Sequence, residues 1–403
     1  MNYIDISKFI KTKIIKRETS FFINDIINNK QILFDRIKNK SVLVIGGAGT
    51  IGSNYIKEIL KFKPLKLVVV DYNENGLTEL TRTLRSKHNQ YIPEVYLTYP
   101  MDFGNSIFYK MLSKHGPFDI VANFAAYKHV RSEKDIFSIE SMIDNNVFKA
   151  KIFLDFLVKN KPKYFFCVST DKATNPVNVM GASKKIMEEL IMSYSDKLNV
   201  KTARFANVAF SNGSLLSGYI ERIFKRQPIS CPKDIKRFFV SPEESGQICM
   251  LACMLGSSGD IFFPKFSEDK LLSFNDITED FFSVLSREII KCKSEEEAKK
   301  LSVNLRDSDP YPVYFFKTET SGEKIFEEFF SNKDNLDLDS FLSLGVIKNL
   351  KKYSIKKTEL MLKALKEVME SDNCNKLSII NVLGKFIPDF KHIETGINLD
   401  QRM

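Results

Sequence analysis

Short apolar runs alternate with longer stretches of helical spacing in the first half of the chain. The runs are rich in β-branched and aromatic residues and cover residues 42–45, 67–70, 120–124 and 164–168. Strands that alternate with helices indicate right-handed βαβ crossovers and a parallel sheet with helices on both faces. The pattern therefore predicts an α/β fold with a Rossmann-like, doubly wound parallel sheet over residues 41–203.

The segments on either side of this region follow other patterns. Residues 1–40 predict a helical leader because apolar residues recur at near-helical spacing, at Ile23, Ile26, Ile27, Leu33, Phe34 and Ile37. After residue 204 prolines interrupt the alternation, which predicts a smaller mixed substrate-binding domain over residues 204–330, with segments that return to the sheet. Residues 331–403 predict a helical C-terminal extension with an amphipathic helix marked by Leu360, Met361, Ala364, Leu365 and Val368.

A glycine-rich turn follows the first apolar run. Its glycines stand where the backbone must turn sharply and approach a pyrophosphate, and a helical stretch follows them. Asp71 ends the second run about 20 residues further on, where a carboxylate accepts hydrogen bonds from the adenosine ribose. An ordinary tight turn is the alternative, but the acidic residue favours a dinucleotide site formed by Gly46, Gly49, Thr50, Ile51, Gly52 and Asp71.

The same region bears on the choice of cofactor. Asp71 favours NAD, and residues 72–75 contain no arginine to receive the 2′-phosphate of NADP. A lysine or arginine from elsewhere would also serve, so NADP stays open. Asp102 follows the third apparent strand and is placed either to meet the adenine edge or to cap a helix.

Composition and charge narrow the class of protein. The chain has 403 residues, of which 43% are apolar, enough for a substantial core. Its net charge of +10 comes from 60 basic residues interleaved with 50 acidic ones, which is typical of a solvated surface and argues against a nucleic-acid partner. An anionic nucleotide substrate would gain from the same surface.

Targeting signals and metal-binding patterns are not visible in the sequence. The apolar runs are far shorter than the roughly 20 residues that a membrane span needs, and the N-terminus lacks the features of a secretory signal. We therefore expect a cytoplasmic protein without a membrane span. The six cysteines are scattered and predict reduced thiols, and the four histidines are too dispersed to predict a metal site.

The segment with the most chemical information follows the fourth apolar run. Residues 168–184 read Val-Ser-Thr-Asp-Lys-Ala-Thr-Asn-Pro-Val-Asn-Val-Met-Gly-Ala-Ser-Lys. Thr170, Asp171 and Lys172 bring a hydroxyl, a carboxylate and an amine to the end of a central strand, where doubly wound sheets bind their ligands. A surface ion pair in a loop is the alternative interpretation of Asp171 and Lys172.

This segment resembles the UDP-N-acetylglucosamine 4,6-dehydratases of bacterial polysaccharide biosynthesis, which are extended short-chain dehydrogenases/reductases. Their pattern is Ser-Thr-Asp-Lys-Ala followed by Asn-Pro-x-Asn-x-(Met or Tyr)-Gly-Ala-(Ser or Thr)-Lys. Residues 124–130, 204–208 and 321–324 are similar to three further motifs of that family, so the resemblance covers about residues 41–330. It implies an extended short-chain dehydrogenase fold, a recycled NAD or NADP, and Ala125 among the residues that bind the cofactor.

The resemblance also implies catalytic roles. Asp171 would be the acid for the departing C6 hydroxyl, Lys172 the base at C5, and Thr170 would steady the C4 oxygen. Met180 stands where short-chain dehydrogenases have a tyrosine, and a thioether cannot take up a proton, although Met is a known variation in the dehydratases. Lys184 resembles the lysine that binds the nicotinamide ribose. Thr170, Lys184 or a water molecule is then left to accept the C4 hydroxyl proton.

Five further residues are implied in substrate binding. By the resemblance, Lys128 and His129 lie near the sugar and pyrophosphate, Asn207 contacts a phosphate, Arg237 clamps the diphosphate and Glu323 meets the uridine ribose. Packing or a surface ion pair is the alternative for each. Thr320 and the pair Leu216-Ser217 depart from the family pattern on the nucleotide side, so the nucleotide carrier stays open.

Three functions follow from these residues. The leading hypothesis is a 4,6-dehydratase that converts UDP-N-acetylglucosamine or a close relative into a 4-keto-6-deoxy product. A nucleotide-sugar C4 epimerase needs only the redox step, and the missing tyrosine at 180 argues against it. A catalytically silent nucleotide-binding regulator would keep the glycines and Asp71 alone. By analogy with the family we expect a homo-oligomer, and retention or inversion at C5 stays open.

Overall fold

The computed structural model describes residues 4–318, 322, 324, 326, 328–348, 354–394, 396 and 403. Its strands are β1 Ser41–Ile45, β2 Lys66–Asp71, β3 Val95–Pro100, β4 Ile120–Asn123, β5 Tyr164–Val168, β6 Val200–Ala203, β7 Asn207–Val208, β8 Ile229–Pro232, β9 Lys236–Arg237, β10 Phe239–Val240, β11 Ile261–Pro264, β12 Leu272–Ser273, β13 Ile289–Cys292, β14 Tyr311–Phe316, β15 Leu336–Asp337 and β16 Leu344–Ile347.

Its α-helices are α1 Ile6–Phe9, α2 Ile23–Asn28, α3 Lys30–Ile37, α4 Thr50–Leu60, α5 Glu74–Ser86, α6 Ser106–His115, α7 Ile136–Ile143, α8 Lys149–Lys159, α9 Val179–Ser193, α10 Leu215–Phe224, α11 Pro242–Leu255, α12 Phe274–Val284, α13 Glu295–Ser302, α14 Ile355–Met369 and α15 Lys376–Phe386. Short 3₁₀ or π turns cover Ile10–Ile14, Val130–Glu133, Asp144–Phe148, Asp171–Ala173 and Glu268–Lys270. Within the described ranges, every helix is too short or too polar to cross a bilayer.

The main sheet is doubly wound, as the apolar runs predict. Its order is β15-β16-β11-β6-β5-β4-β1-β2-β3, and the pairings from β3 to β11 are parallel. The order reverses between β1 and β4, since β2 and β3 lie on one side of β1 and β4, β5 and β6 on the other. Ligands of such sheets bind beyond the carboxyl ends of the strands at this reversal.

A second unit stands beside the sheet, and its core is separate. The strands β8, β14 and β13 form a small parallel sheet, and α12 packs against β8. Tyr219, Phe281 and Tyr311 are buried at its centre. The chain returns from this region to the main sheet through α11 and β11.

The C-terminal region differs from the predicted helical extension. The strands β15 and β16 join the main sheet, and β16 runs antiparallel to β11. Residues 344–347 are Leu-Gly-Val-Ile, a short apolar run that suits a buried strand as well as a helix, so periodicity alone does not separate the two. The predicted amphipathic helix is α14, with Met361 and Leu365 buried, and it packs against α9 and α15.

The leader is bound to both units. Phe9 packs edge-on against Phe281 in the second core, with ring centroids 5.5 Å apart. Further along, the Arg17 guanidinium donates to both carboxylate oxygens of fully buried Glu244 in α11, at 2.8 and 2.7 Å. Asp25 accepts the backbone N–H groups of residues 342 and 343, both at 2.8 Å. The leader therefore ties the second unit, α11 and the approach to β16 together.

Lys201 in β6 is a destabilising residue of the core. Its side chain is fully buried, and within the described residues its Nζ has no hydrogen-bond partner, although it lies 4.8 Å from the centroid of the Tyr164 ring. Burial lowers the pKa of Lys201 to about 8 from the usual 10.5. Each pH unit of such a difference corresponds to about 1.4 kcal/mol, so protonated Lys201 costs about 3 kcal/mol at pH 7.

We expect Lys201→Met to raise the free energy of unfolding by about 3 kcal/mol at pH 7. The unfolded lysine binds its proton more tightly than the folded one, so the penalty is complete below pH 8 and disappears as the pH rises toward 10.5. Urea unfolding at pH 7 and at pH 10 measures both effects, and Lys110→Met on exposed α6 is the control. A loss of stability in Lys201→Met would contradict this account.

Candidate functional site

The glycine turn after β1 is built for close backbone approach. Gly46 has φ +72°, a left-handed conformation, and a Cβ there would lie 2.6 Å from the backbone nitrogen of Ala125. A Cβ on Gly52 would lie 2.3 Å from the carbonyl oxygen of Gly46. Gly49 is the N-cap of α4, so the free N–H groups of Thr50 and Ile51 open the helix beside the turn. The predicted glycine positions thus form one compact turn against Ala125, at a helix N-terminus of the kind that suits an anion.

We expect Gly46→Ala to weaken NAD binding by at least ~10-fold, because the added methyl group forces the turn away from residues 124 and 125 and takes a φ that L-residues disfavour. Calorimetric titration of the purified variant with NAD measures the change. Gly218→Ala in α10 is a matched control, because no atom lies within 4 Å of its Cβ position. Unchanged NAD affinity in Gly46→Ala would contradict the assignment of this turn.

Asp71 lies beside the glycine turn at the end of β2. Its side chain is buried and accepts hydrogen bonds from the backbone N–H of Ala48, at 2.9 Å, and of Asn73, at 3.0 Å. These bonds hold the carboxylate at the carboxyl edge of the sheet next to the turn. The structure therefore brings Asp71 and the glycines together, as the spacing predicts.

The Asp102 carboxylate binds groups other than the N-terminus of a helix. The N-cap of α6 is Asn105, so the helix-cap interpretation of Asp102 is wrong. Its carboxylate accepts the N–H of Gly104 and forms a 2.7 Å ion pair with Lys149 of α8. The first bond closes a tight turn after β3, and the helix α6 begins after this turn with Asn105 as its N-cap. Contact with an adenine edge stays a prediction.

The residues Thr170, Asp171 and Lys172 leave the end of β5 as a short turn. Asp171 is 3% exposed, and its carboxylate oxygen Oδ1 accepts three hydrogen bonds. The donors are the Thr170 hydroxyl at 2.8 Å, the Lys172 N–H at 2.9 Å and the Lys172 ammonium at 3.2 Å. The acid, the amine and the hydroxyl therefore form one contiguous group instead of a solvated surface ion pair.

The helix α9 carries Met180 and Lys184 behind this group. Met180 is 2% exposed, and its backbone N–H donates to Glu133 at 3.0 Å. The Lys184 ammonium donates to the carbonyl oxygen of Val168, at 2.7 Å, which fixes it at the last residue of β5. Burial lowers the pKa of Lys184, so the structure favours loss of its proton more than water does.

Lys128 and His129 lie near the first turn of α4. The Lys128 ammonium donates to the carbonyl oxygen of Asn212 at 3.2 Å, while the N–H of Asn212 donates to the Thr50 hydroxyl at 3.0 Å. A Cβ on Gly213 would lie 3.1 Å from the His129 ring. Loss of hydration, then the charges of Lys128 and Arg131, lower the pKa of His129, which favours a neutral ring.

Arg237 is linked through Lys324 to Thr174, which follows Lys172 in the loop after β5. It is 6% exposed and donates to the carbonyl oxygen of Lys324, at 3.0 Å, while the Lys324 ammonium donates to the carbonyl oxygen of Thr174, at 3.0 Å. Asn207 lies in β7, which pairs with β10 at Phe239. Glu323 and Thr320 lie outside the described residues.

Two buried glutamates are part of this region and have no motif of their own. Glu188, one turn after Lys184, is fully buried and binds Arg204 through two hydrogen bonds of 2.9 and 2.5 Å. It also accepts the Ser169 hydroxyl at 2.9 Å. Glu133 contacts Met180 from 47 positions away. The i+4 spacing from Lys184 is a local signal for Glu188, whereas no local pattern indicates Glu133.

No cluster of three or more His, Cys, Asp or Glu side chains in the described part of the chain has an arrangement that could hold a metal ion. The polar groups at the carboxyl edge are instead donors and acceptors suited to an organic ligand. The glycine turn, which a Cβ would fill, and the carboxylate of Asp71 fit the pyrophosphate and ribose of a dinucleotide.

The profile of one protein family matches most of this chain. Residues 42–348 match the profile of the family described as "Polysaccharide biosynthesis protein". A protein of Methanocaldococcus jannaschii named "Uncharacterized membrane protein MJ1061" is 30% identical over 317 residues, which are 77% of this chain and 86% of that protein. Another relative, the "Probable polysaccharide biosynthesis protein EpsC" of Bacillus subtilis, is 29% identical over 59% of this chain. The match covers only 41% of that protein, so this chain spans about two fifths of its length.

Two kinds of enzyme are also among the relatives. A "UDP-N-acetylglucosamine 4,6-dehydratase (inverting)" of Campylobacter jejuni is 26% identical over 67% of this chain and 79% of its own length. A "UDP-glucose 4-epimerase" of Rickettsia canadensis is 28% identical over 56% of this chain and 66% of its own length.

Solved structures share the fold. The X-ray structure of Pen from Bacillus thuringiensis has a TM-score of 0.63 at 22% identity, over 79% of this chain and 92% of that one. DesIV, a dTDP-glucose 4,6-dehydratase from Streptomyces venezuelae solved with NAD and TYD bound, has a TM-score of 0.55 at 17% identity, over 73% and 89%. At these identities the likeness concerns the fold, which is that of an extended short-chain dehydrogenase/reductase.

Proposed function

We propose that this chain, which belongs to the polysaccharide biosynthesis protein family, is a nucleotide-sugar 4,6-dehydratase. Relatives named as a dehydratase and as an epimerase support an enzyme of the nucleotide-sugar dehydratase or epimerase type. The proposal adds a substrate, UDP-N-acetylglucosamine or a close relative, and a reaction, loss of water between C5 and C6 of the hexose. Its product is a 4-keto-6-deoxy sugar nucleotide.

The observation that carries the proposal is the group formed by Thr170, Asp171 and Lys172 at the end of β5. A redox step alone needs neither an additional acid nor an additional base, whereas elimination of water needs both. Asp171 and Lys172 are held beside each other with Nζ 3.2 Å from Oδ1, and Asp171 is almost fully buried. The Lys184 ammonium donates to the carbonyl oxygen of Val168, the last residue of β5 and two positions before Thr170.

NAD is the proposed cofactor. Gly46, Gly49 and Gly52 would hold its pyrophosphate at the start of α4, and Asp71 would accept the ribose hydroxyls. When bound, NAD supplies the hydride acceptor for the oxidation at C4 and the hydride donor for the reduction at C6. Lys184 would bind the nicotinamide ribose from its place beside β5.

Different residues of the chain then carry out the separate proton transfers. Lys172 takes the C5 proton, which has become acidic beside the C4 carbonyl, and Asp171 donates a proton to the departing C6 hydroxyl. Thr170 orients the C4 oxygen through its hydroxyl. The C4 hydroxyl proton goes to Thr170, Lys184 or a water molecule, because Met180 has no basic atom suited to it. Burial, which lowers the pKa of Lys184, supports its candidacy.

The substrate phosphates would meet the charged side chains of Lys128 and Arg237 and the neutral ring of His129. Lys128 donates to Asn212, which contacts Thr50 in the first turn of α4, and Arg237 donates to the carbonyl oxygen of Lys324. A planar guanidinium suits a diphosphate because it donates two parallel hydrogen bonds. Asn207 and Glu323 complete the proposed substrate site.

The test is incubation of the purified protein and NAD with UDP-N-acetylglucosamine. We expect a product lighter by one water, and nuclear magnetic resonance of that product assigns retention or inversion at C5. A product of unchanged mass but altered C4 configuration would identify an epimerase. Unchanged substrate across UDP- and GDP-linked hexosamines would reject the enzyme and favour a nucleotide-binding regulator.

The chain is also proposed to form a homo-oligomer. The large apolar side chains of Ile107 in α6, Phe137 in α7 and Ile152 in α8 are exposed by 64%, 77% and 55%. Such side chains are candidates for burial against a second copy. Sedimentation velocity measures the number of subunits, and a monomer at micromolar concentration would reject this part of the proposal.

A further inference from the structure

The segment after α15 runs along the catalytic loop. We call residues 387–394 the C-terminal strap. The backbone N–H of Lys391 donates to the carbonyl oxygen of Pro176 at 3.1 Å, and that of Ile393 to the carbonyl oxygen of Val177 at 2.9 Å. Ile387 and Phe390 are 2% and 8% exposed, so the strap is anchored by burial as well as by these bonds.

Between the two backbone bonds, the strap places a histidine at the start of α9. His392 has a side chain that is 8% exposed, and its Nε2 lies 3.3 Å from Oε2 of Glu133. The other oxygen of Glu133, Oε1, accepts the N–H of Met180 at 3.0 Å. His392, Glu133 and Met180 therefore form a continuous hydrogen-bonded chain from the strap to the catalytic helix.

The hydrogen bonds from His392 through Glu133 act on the first turn of α9, the part of a helix that is least fixed. The N–H groups of the first turn have no partners within the helix, so side chains must bind them. Asn178 binds the N–H of Gly181 at 2.6 Å, and Glu133 binds that of Met180. Lys184 lies one turn further along the same helix, where its ammonium contacts Val168. A shift of the first turn would therefore move Lys184 relative to Asp171 and Lys172.

We propose that His392 is a positioning residue for the dehydratase site. It holds the Glu133 carboxylate on the N–H of Met180 and thereby fixes the start of α9 against the catalytic loop. The role of His392 in turnover rests on the proposed function, whereas its effect on the order of the helix start does not. The polar partner of the His392 side chain is Glu133, which is not among the residues proposed to bind the sugar or the cofactor.

The experiment compares His392→Ala, His392→Gln and the wild-type enzyme, with His88→Ala on the exposed end of the α5–β3 loop as the matched control. In His392→Ala we expect kcat to fall by ~10- to 100-fold, since small misplacements of catalytic groups have effects of that size, and KM to change less than about twofold. His392→Gln keeps a donor nitrogen of similar reach and should recover most of kcat. His88→Ala should match the wild-type enzyme.

Hydrogen exchange of the amides in residues 177–182, measured by mass spectrometry without substrate, separates this inference from the proposed function. We expect faster exchange in His392→Ala and near wild-type exchange in His392→Gln and His88→Ala. If no nucleotide sugar is converted, the dehydratase assignment fails while the exchange data still test the strap. Wild-type exchange in His392→Ala, an equal loss of kcat in both His392 variants, or a change confined to KM would overturn the positioning role.

Discussion

Asp171→Asn is expected to reduce the formation of dehydrated product by ~10²- to 10⁴-fold, the range in which general acids contribute. Asparagine has nearly the same shape and retains an acceptor for the Thr170 hydroxyl and the Lys172 N–H, which bind Oδ1 of Asp171 in the structure. It cannot give a proton to the departing C6 hydroxyl. The assay follows loss of water from UDP-N-acetylglucosamine by mass spectrometry.

Deuterium exchange distinguishes the acid from the base in this prediction. In deuterated water, Asp171→Asn should still exchange the C5 proton of the substrate, because Lys172 remains, whereas Lys172→Met should lose both exchange and elimination. Asp372→Asn, on an exposed turn remote in sequence from the site, should behave as the wild-type enzyme. Dehydration at the wild-type rate in Asp171→Asn would remove Asp171 from the mechanism.

Glu188→Gln is expected to lower the free energy of unfolding by about 3 kcal/mol, because it replaces the buried carboxylate nearest the Arg204 guanidinium with a neutral amide, while the second carboxylate, Asp334, lies 3.9 Å away. Arg204 also donates to the Thr174 hydroxyl and to the carbonyl oxygen of Phe329, at 3.0 and 2.9 Å, so the loss should loosen the loop that follows Lys172. Urea unfolding at pH 7 measures it. Glu296→Gln in an exposed pair with Lys300 is the control and should change stability by less than about 1 kcal/mol.

The pH dependence of stability tests the same pair. Burial opposes ionisation of Glu188, but the charge and hydrogen bonds of Arg204 outweigh it and lower the pKa of Glu188 to about 2 from 4.5. The folded carboxylate therefore binds its proton more weakly than the unfolded one. Its stabilisation is complete above pH 4.5 and is lost as the pH falls toward 2, and this part of the acid profile should be absent from Glu188→Gln. An identical acid profile in the variant would contradict it.

The fold was accessible from local patterns because its central strands are short apolar runs bounded by polar residues. The runs at 42–45, 67–70, 120–124 and 164–168 correspond to β1, β2, β4 and β5, and the glycine turn lies where its spacing predicts. The doubly wound sheet is thereby confirmed. The strand β15 has only two residues, and the apolar run of β16 suits a buried strand as well as a helix, so the sequence did not reveal either strand in the predicted helical extension.

The candidate site was only partly accessible in the same way. Thr170, Asp171 and Lys172 are neighbours in sequence, so their motif carries them together. The contacts of Glu133 with Met180 and with His392 join positions that are 47 and 259 residues apart. No periodicity or spacing within one segment encodes such contacts, since each joins elements that are far apart in the sequence and meet only in the folded protein. The ion pair of Asp102 with Lys149, which lies on another helix, is a contact of the same kind, and neither of the two interpretations of Asp102 from the sequence included it.

The anchoring of the leader has a consequence for how a sugar nucleotide enters. A hinge opening between the sheet unit and the second unit would have to pull Phe9 away from Phe281, or Arg17 away from Glu244, and so expose apolar area or leave a buried carboxylate uncompensated. Wide rigid-body opening is therefore disfavoured. Substrate entry and product release should instead depend on local motion of the loops above the strand ends. Such motion would displace a few side chains and would leave the sheet unit and the second unit in place.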